Sequence, residues 1–302
     1  RLSLGAMSPR LPEFLAQVFP EVKFAITPYL PFGGITLLYG KTTLGKSPLT
    51  WEMGRCVASG ESFLGHYPTA RGHIHYFDLD TPPALVQKRL LLMEAPPDDF
   101  WIDFPGVRNI LQTPAQDYFK RKRDESEPIM VVMNTLRKLY PGDEKDASLP
   151  SRVYSILLSI FSPASITLVH HDKKSAGDPD DQSDPDEAFS GHMAWLNDCQ
   201  VGLHLIRAGG HTPGLMRLVQ SKSQVSAQEP PRTLQLSKDG TALVDYKGAQ
   251  ASAVIKLYHE LPVEMGKTDK VSVISQTLRC GTRMVWTYLS YLPESDQLST
   301  AE

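Results

Sequence analysis

With 302 residues, 41% of them hydrophobic and 22% charged, the chain is large enough to bury a full core, as one large domain or as a medium domain with a small appendage. Its 34 acidic residues against 31 basic ones exclude a global positive field, so any nucleic-acid partner must be held by a local patch. Three distant cysteines, Cys56, Cys199 and Cys280, exclude a disulfide framework or zinc ribbon and fit a reducing, cytoplasmic setting; no run of roughly 18 apolar residues is present to span a membrane.

The N-terminus lacks a signal-peptide pattern. Gly5-Ala6-Met7 has the look of a cloning scar, so residues 1–8 are expected to be tag or vector sequence outside the fold. Ile35-Thr36-Leu37-Leu38-Tyr39 then reads as a buried strand, followed by a Gly-rich loop and a helix over about 48–59. Residues 73–79 form a second strand with a helix over 84–93. Residues 128–133 form a third strand, and a helix over 152–161 leads to a fourth strand at 165–169. Strands alternating with helices predict a mainly parallel α/β sheet covered on both faces. Short strands at 201–206, 215–220, 233–236 and 242–244 follow, the last two joined by an Asp239-Gly240 hairpin turn. Residues 172–189, rich in Asp, Ser, Pro and Lys, read as a mobile loop, and 221–231 as a second loop. After Gly248 the pattern is purely helical, at 253–261, 271–278 and 282–292. The expected division is a P-loop domain over 9–248 and a helical unit over 249–302.

The loop Gly40-Lys41-Thr42-Thr43-Leu44-Gly45-Lys46-Ser47 fits the pattern Gly-x-x-x-x-Gly-Lys-Ser, placed between a predicted strand and a predicted helix. A chain of this length matches the bare pattern by chance about once in a hundred sequences. The residue types suit nucleotide phosphates. Glycines let backbone N–H groups turn inward around the β-phosphate, Lys46 neutralises β/γ charge, and the Ser47 hydroxyl ligates Mg²⁺, so ATP and Mg²⁺ are the expected ligands. Pro48 stands out, because a proline there removes a possible backbone donor to phosphate.

With the loop, the later strands and the tail together, the chain resembles the RepA-type branch of RecA-fold ATPases, hexameric replicative helicases and their relatives from plasmids and phages. The resemblance spans about residues 24–245. It rests on the lead-in from Ile26 through Leu37, on Leu136-Arg137-Lys138-Leu139, on His170-His171-Asp172-Lys173-Lys174, and on the Ser190-Gly191 segment running to Asp198. It implies a RecA-like fold, ATP hydrolysis, a ring or other homo-oligomer, and action on DNA, single-stranded DNA above all. It also implies residue roles. The position of the family's catalytic glutamate is Asp80, which would orient the attacking water. The aspartate that usually ends the third strand and orients Mg²⁺ through water is here Asn134, whose amide can still bond a metal-bound water but carries no charge. His170 or His171 would sense the γ-phosphate or DNA. The family's lysine–arginine pair that reaches into a neighbouring subunit is matched by Lys222 and Gln224, and no arginine within the same chain is evident for the γ-phosphate. Lys173 and Lys174 would face the DNA channel. Pro48, Asp80, Asn134 and Gln224 all depart from the family at metal or hydrolysis, while Lys46 and Ser47 are intact. An alternative to a motor is therefore a nucleotide-gated DNA-binding or scaffold protein that hydrolyses ATP slowly or not at all.

Other features have plainer readings. Asp80 could equally cap the helix that follows it. His73 and His75 face the same side of one strand without an evident third metal ligand, which favours a packing role. Lys120-Arg121-Lys122-Arg123 is a possible phosphate-contacting patch or a solvated helix end. The last two helices, with Gly281 in the turn and Thr282 as cap, have helix-turn-helix form and suggest a winged-helix-like unit. Arg279 and Arg283 would then contact DNA, with Trp286 and Thr287 near the exposed face, although such units also mediate protein contacts.

Overall fold

The computed structural model describes residues 10–91, 97–107, 109–142, 146–171, 193–208, 214–238, 240 and 243–290. The segment read as tag sequence, the loop at 172–189 with Lys173 and Lys174, and Asp239 of the expected hairpin turn lie outside these residues.

A nine-stranded sheet organises the chain. In order of chain position its strands are β3 (Ile35–Gly40), β4 (Ile74–Asp78), β5 (Phe100–Asp103), β6 (Met130–Asn134), β7 (Ser165–His171), β8 (Val201–Arg207), β9 (Leu215–Ser223), β10 (Arg232–Leu236) and β11 (Leu243–Asp245). Two short strands, β1 (Phe24–Ile26) and β2 (Leu30–Pro31), pair separately ahead of it. The spatial order is β11-β10-β9-β8-β3-β7-β6-β4-β5. Strands β8, β3, β7, β6, β4 and β5 run parallel, and β8 through β11 continue as an antiparallel meander. The expected parallel α/β architecture is therefore present, extended by the β-rich tail.

The inner parallel strands β3, β4, β6 and β7 are buried along almost their whole length, as near-continuous apolar runs require when helices cover both faces. On one face α2 (Lys46–Ser59) presents Leu49, Met53 and Val57 to Ile74, Val132 and Leu203. On the other, α4 (Thr113–Ser126) and α5 (Leu149–Phe161) place Phe119, Leu157 and Phe161 against Phe77, Val131 and Ile166. Burying each such side chain contributes about 1.5–3 kcal/mol. Ahead of residue 200 the described residues also form α1 (Leu11–Leu15), α3 (Pro83–Leu90) and α6 (Ala194–Asp198), with a 3₁₀ turn at Leu136–Lys138.

Several expectations change. β5 and α4 have no counterpart in the sequence reading, and β9 continues to Ser223, so Lys222 stands in a strand rather than in a loop. The basic run 120–123 lies on α4 and is internally neutralised. Lys122 pairs with Asp103 and Glu125 at 3.2 and 2.8 Å, Arg123 with Asp124, Arg121 with Glu125, and Lys120 with Asp117. His73 and His75 both brace the end of α4, with Nδ1 atoms 2.7 Å from the Ser126 carbonyl oxygen and 2.8 Å from Ser126 Oγ. Burial pushes the His75 imidazole down to about 4, despite the carboxylate of Asp103 nearby.

Three helices close the described chain: α7 (Gly248–Glu260), α8 (Lys267–Leu278) and α9 (Thr282–Leu289). They share a small core of Val254, Tyr258, Val271, Ile274, Val285, Tyr288 and Leu289, joined by Val244 of β11. α9, which a helix-turn-helix reading would present to DNA, instead packs against the β10–β11 hairpin. Thr287 is 1% exposed, and Arg283 is drawn into an ion pair with Glu52 of α2 at 2.7 Å. Arg283 and Thr287 are thus spent on packing rather than displayed, which corrects their expected placement. Arg279 caps α8 in a left-handed conformation and remains exposed.

Candidate functional site

The phosphate loop runs from the end of β3 into α2. A Cβ at Gly40 would run into the carbonyl oxygen of Leu205 on β8, so only glycine lets these strands lie this close. Thr43 and Gly45 both take positive φ, 71° and 87°, which turns the loop tightly around its own backbone N–H groups. Lys46 Nζ donates to the carbonyls of Gly40 and Lys41 at 2.7 and 2.9 Å, and the side chain is buried at 6% exposure.

The loop forms one wall of a cleft of about 370 Å³ at the C-terminal ends of the parallel strands, where open α/β sheets hold their ligands. Thr42, Thr43, Gly45, Lys46 and Ser47 line it. Asp80, Asn134 and His171 stand opposite. Adjacent strands bring these last residues in: β4 ends opposite β6 with Asp78 in register with Asn134, and Gly40 is in register with His171. Pro48 also faces the cleft, in the first turn of α2. His170 and His171 do not act alike. Successive residues of a strand point to opposite sides, so His171 lines the cleft while His170 is buried at 1% exposure.

Asp80 does not cap α3. The cap position is Pro82, without a side-chain bond, and the Asp80 carboxylate lies 3.6 Å from Lys138 Nζ. The residue that holds this turn is Asp78, which the sequence reading passed over. Its Oδ1 accepts the N–H groups of Asp80 and Thr81 at 3.0 and 2.7 Å, and its Oδ2 accepts the Asn134 amide at 3.1 Å. Asp78 and Asn134 are each 3% exposed. An Asp two residues before an expected catalytic acid was the available signal.

A second residue was also missed. Arg89, near the end of α3, lines the same cleft, is exposed, and makes no ion pair with another described residue. It supplies an arginine from the same chain where none was expected. Lys222 lies away from this cleft, where its ammonium donates to the carbonyls of Leu196 (3.1 Å) and Asn197 at the end of α6.

Among the described residues no group of three His, Cys, Asp or Glu side chains could hold a metal. The cleft lining offers the oxygen donors of Ser47 and Asn134, which suit Mg²⁺, an ion that keeps most of its waters and needs one or two protein ligands beside phosphate oxygens. Ser47, with Asn134 acting through water, fits that role. No helix among the described residues is long and apolar enough to cross a membrane.

A sequence model of the AAA domain matches residues 6–177, more than half of the chain. The chain belongs to the AAA domain family. No curated protein sequence matches it. Solved structures with the same fold include the ATPase domain of G40P (TM-score 0.54, 9% identity, 71% of this chain and 85% of that one). Others are a DnaB-like replicative helicase (TM-score 0.57, 10% identity, 78% and 66%) and the RadB recombinase (TM-score 0.50, 16% identity, 72% and 93%). At these identities the likeness establishes the fold alone, the RecA-like α/β fold that the chain shares with these helicase and recombinase structures. The expected RepA-type relationship agrees with both findings.

Proposed function

We propose that this AAA domain protein binds ATP with Mg²⁺ in the phosphate-loop cleft and couples its hydrolysis to work on DNA, as a helicase-type or DNA-remodelling ATPase. The observation that carries the reading is the cleft itself. It gathers Lys46, Ser47, Asp80, Asn134, His171 and Arg89 at one end of the parallel sheet. In this reading the loop N–H groups and Lys46 hold the β- and γ-phosphates. Ser47 and, through water, Asn134 would hold Mg²⁺, which would neutralise phosphate charge. Asp80 orients the attacking water, and His171, rather than buried His170, senses the γ-phosphate. Lys222 completes a neighbour's site in a ring or other homo-oligomer, and Lys173, Lys174 and exposed Arg279 are the candidates for DNA contact. Residues 9–248 form the ATPase domain and 249–302 the appended helical unit.

A second reading, nucleotide-gated DNA binding without appreciable turnover, draws on specific geometry. The Asn134 amide is committed to Asp78, the Asp80 carboxylate sits beside Lys138, and Pro48 brings no N–H to the cleft. The deciding experiment measures ATP binding and ATP turnover with and without single-stranded DNA, for the unaltered chain and for Lys46→Ala. DNA-stimulated turnover abolished by Lys46→Ala supports the motor. Tight ATP binding with no turnover, and DNA affinity that changes with ATP, supports the gate. Unchanged nucleotide affinity in Lys46→Ala would refute the phosphate site altogether.

A further inference from the structure

We infer that the C-terminal three-helix unit is a working part of the nucleotide site, with Arg283 as a positioning residue that acts on the phosphate-loop helix through Glu52. The inference rests on the phosphate-site reading above.

The contact itself is a charge chain built around one buried carboxylate. Glu52 lies on α2, the helix whose first two residues are Lys46 and Ser47. Its carboxylate is 6% exposed and receives two guanidiniums: Arg55 from its own helix at 3.0 and 3.1 Å, and Arg283 from α9 at 2.7 Å. Arg55 goes on to Glu61 at 2.7 Å, so the four residues balance in charge. The carboxylate is the hub. With Arg283 gone, a buried negative charge is left with one partner instead of two, and α2 loses its tie to the helical unit.

α9 also grips the hairpin that adjoins the phosphate loop. Ser290, directly after it, accepts the N–H of Lys238 at 3.2 Å, and the Tyr288 hydroxyl donates to the Asp245 carbonyl and accepts the Lys247 N–H, both at 3.2 Å. These bonds fix the β10–β11 hairpin, of which Leu236 and Gly240 line the cleft beside the phosphate loop. Leu236 also lies against Gly45, where an added Cβ would come within 3.3 Å of its side chain. One short helix therefore ties the helix that carries Lys46 and Ser47 to the hairpin that closes the cleft beside them. A separable DNA-binding appendage would need neither tie. By linkage, an element that holds the site in its binding geometry must itself be held more firmly when nucleotide is bound.

The test uses the full chain and a fluorescent ATP analogue, with thermal melting to confirm that each variant is folded at the assay temperature. Arg283→Gln is expected to weaken nucleotide binding about fivefold or more. Arg283→Lys, which keeps the charge but not the fork, is expected to fall between it and the unaltered chain. Lys256→Gln, on the same unit but in a surface pair with Glu260, should leave affinity unchanged. Amide exchange in residues 282–290 gives a readout that a mere brace would not move. ATP should slow it in the unaltered chain and have little effect in Arg283→Gln. Normal affinity in folded Arg283→Gln, or exchange in α9 that ignores ATP, overturns the inference while leaving the phosphate site standing. Failure of the unaltered chain to bind the analogue would instead overturn the phosphate-site reading, and this inference with it.

Discussion

The side-chain amide of Asn134 donates to the carboxylate of Asp78 across adjacent strands, at 3.1 Å and almost out of reach of solvent. The two stand in register at the ends of β6 and β4, and the second oxygen of Asp78 holds the turn that presents Asp80. Asn134 is therefore better understood as the neutral partner of a buried carboxylate than as a weakened metal ligand alone.

Asn134→Asp should accordingly destabilise the fold. The change removes a hydrogen bond to a charged group, at a cost of about 1.5–3 kcal/mol, and sets two carboxylates face to face. One of them must then keep its proton to higher pH in the folded state, so the variant loses stability as pH rises through that raised value. Denaturant melts at pH 5 and pH 8 should show the larger deficit at pH 8. Adding Asp78→Asn should restore much of it by exchanging the roles of the two positions. A stable single variant with no pH dependence would show that the pair is not coupled.

Arg89 should matter to nucleotide within its own chain. Its guanidinium faces the cleft without an ion-pair partner among the described residues, and a charged contact to phosphate is worth about 1.5–3 kcal/mol. Arg89→Ala is expected to reduce ATP affinity or turnover by roughly tenfold or more, with little change in melting temperature because the side chain is exposed. Titration with ATP and with ADP separates the cases, since a γ-phosphate contact leaves ADP affinity unaffected.

His75 gives the fold an acid-sensitive element. The unfolded chain protonates this imidazole at its ordinary value near 6.5, whereas burial delays protonation in the folded chain to about 4. Between these values the unfolded state binds more protons, so stability falls as pH drops, by about 3 kcal/mol across the window. Above pH 6.5 the group contributes no pH dependence. His75→Gln should flatten the difference between melts at pH 7 and pH 4.5, and an unchanged slope would assign the acid sensitivity elsewhere.

Mixed oligomers test the shared site. Lys46→Ala and Lys222→Ala chains should each be inactive, and mixing them should recover part of the activity, because some contacts then join an intact loop to an intact lysine. Lys222→Ala should also lower the melting temperature, since its ammonium supports the carbonyls of Leu196 and Asn197. Mixed assemblies that form but stay inactive would argue against a role in the neighbour's site.

The division between what could and could not be read from the chain follows the range of the interactions. The phosphate loop was legible because its residues are contiguous and its backbone demands glycine at fixed positions. The central parallel strands were legible because strands buried on both faces leave near-continuous apolar runs, as in Met130–Met133. Asp78 and Asn134 were hidden because their relationship is a register between strands 56 positions apart. Arg283 was misread because a polar residue in a helix-turn-helix pattern looks displayed until a buried glutamate 231 positions earlier is found beneath it. β5 was missed for a local reason: Phe100-Trp101-Ile102-Asp103 lies on the sheet edge, partly covered, and has neither alternation nor a long apolar run.

The position of β3 in the sheet constrains how the protein can be made. The phosphate-loop strand lies between β7 and β8, whose residues are translated more than a hundred positions later. Until Ser165–His171 has left the ribosome, Ile35–Tyr39 has neither neighbour, and five apolar or β-branched residues with free backbone edges wait unpaired; one edge stays open until Val201–Arg207 follows. Nucleotide cannot shorten that interval, because the loop has no fixed shape before its strand is seated. A nascent chain halted between β6 and β7 would therefore be sticky and blind to ATP at once, and its safe passage depends on chaperones or on speed of synthesis rather than on ligand.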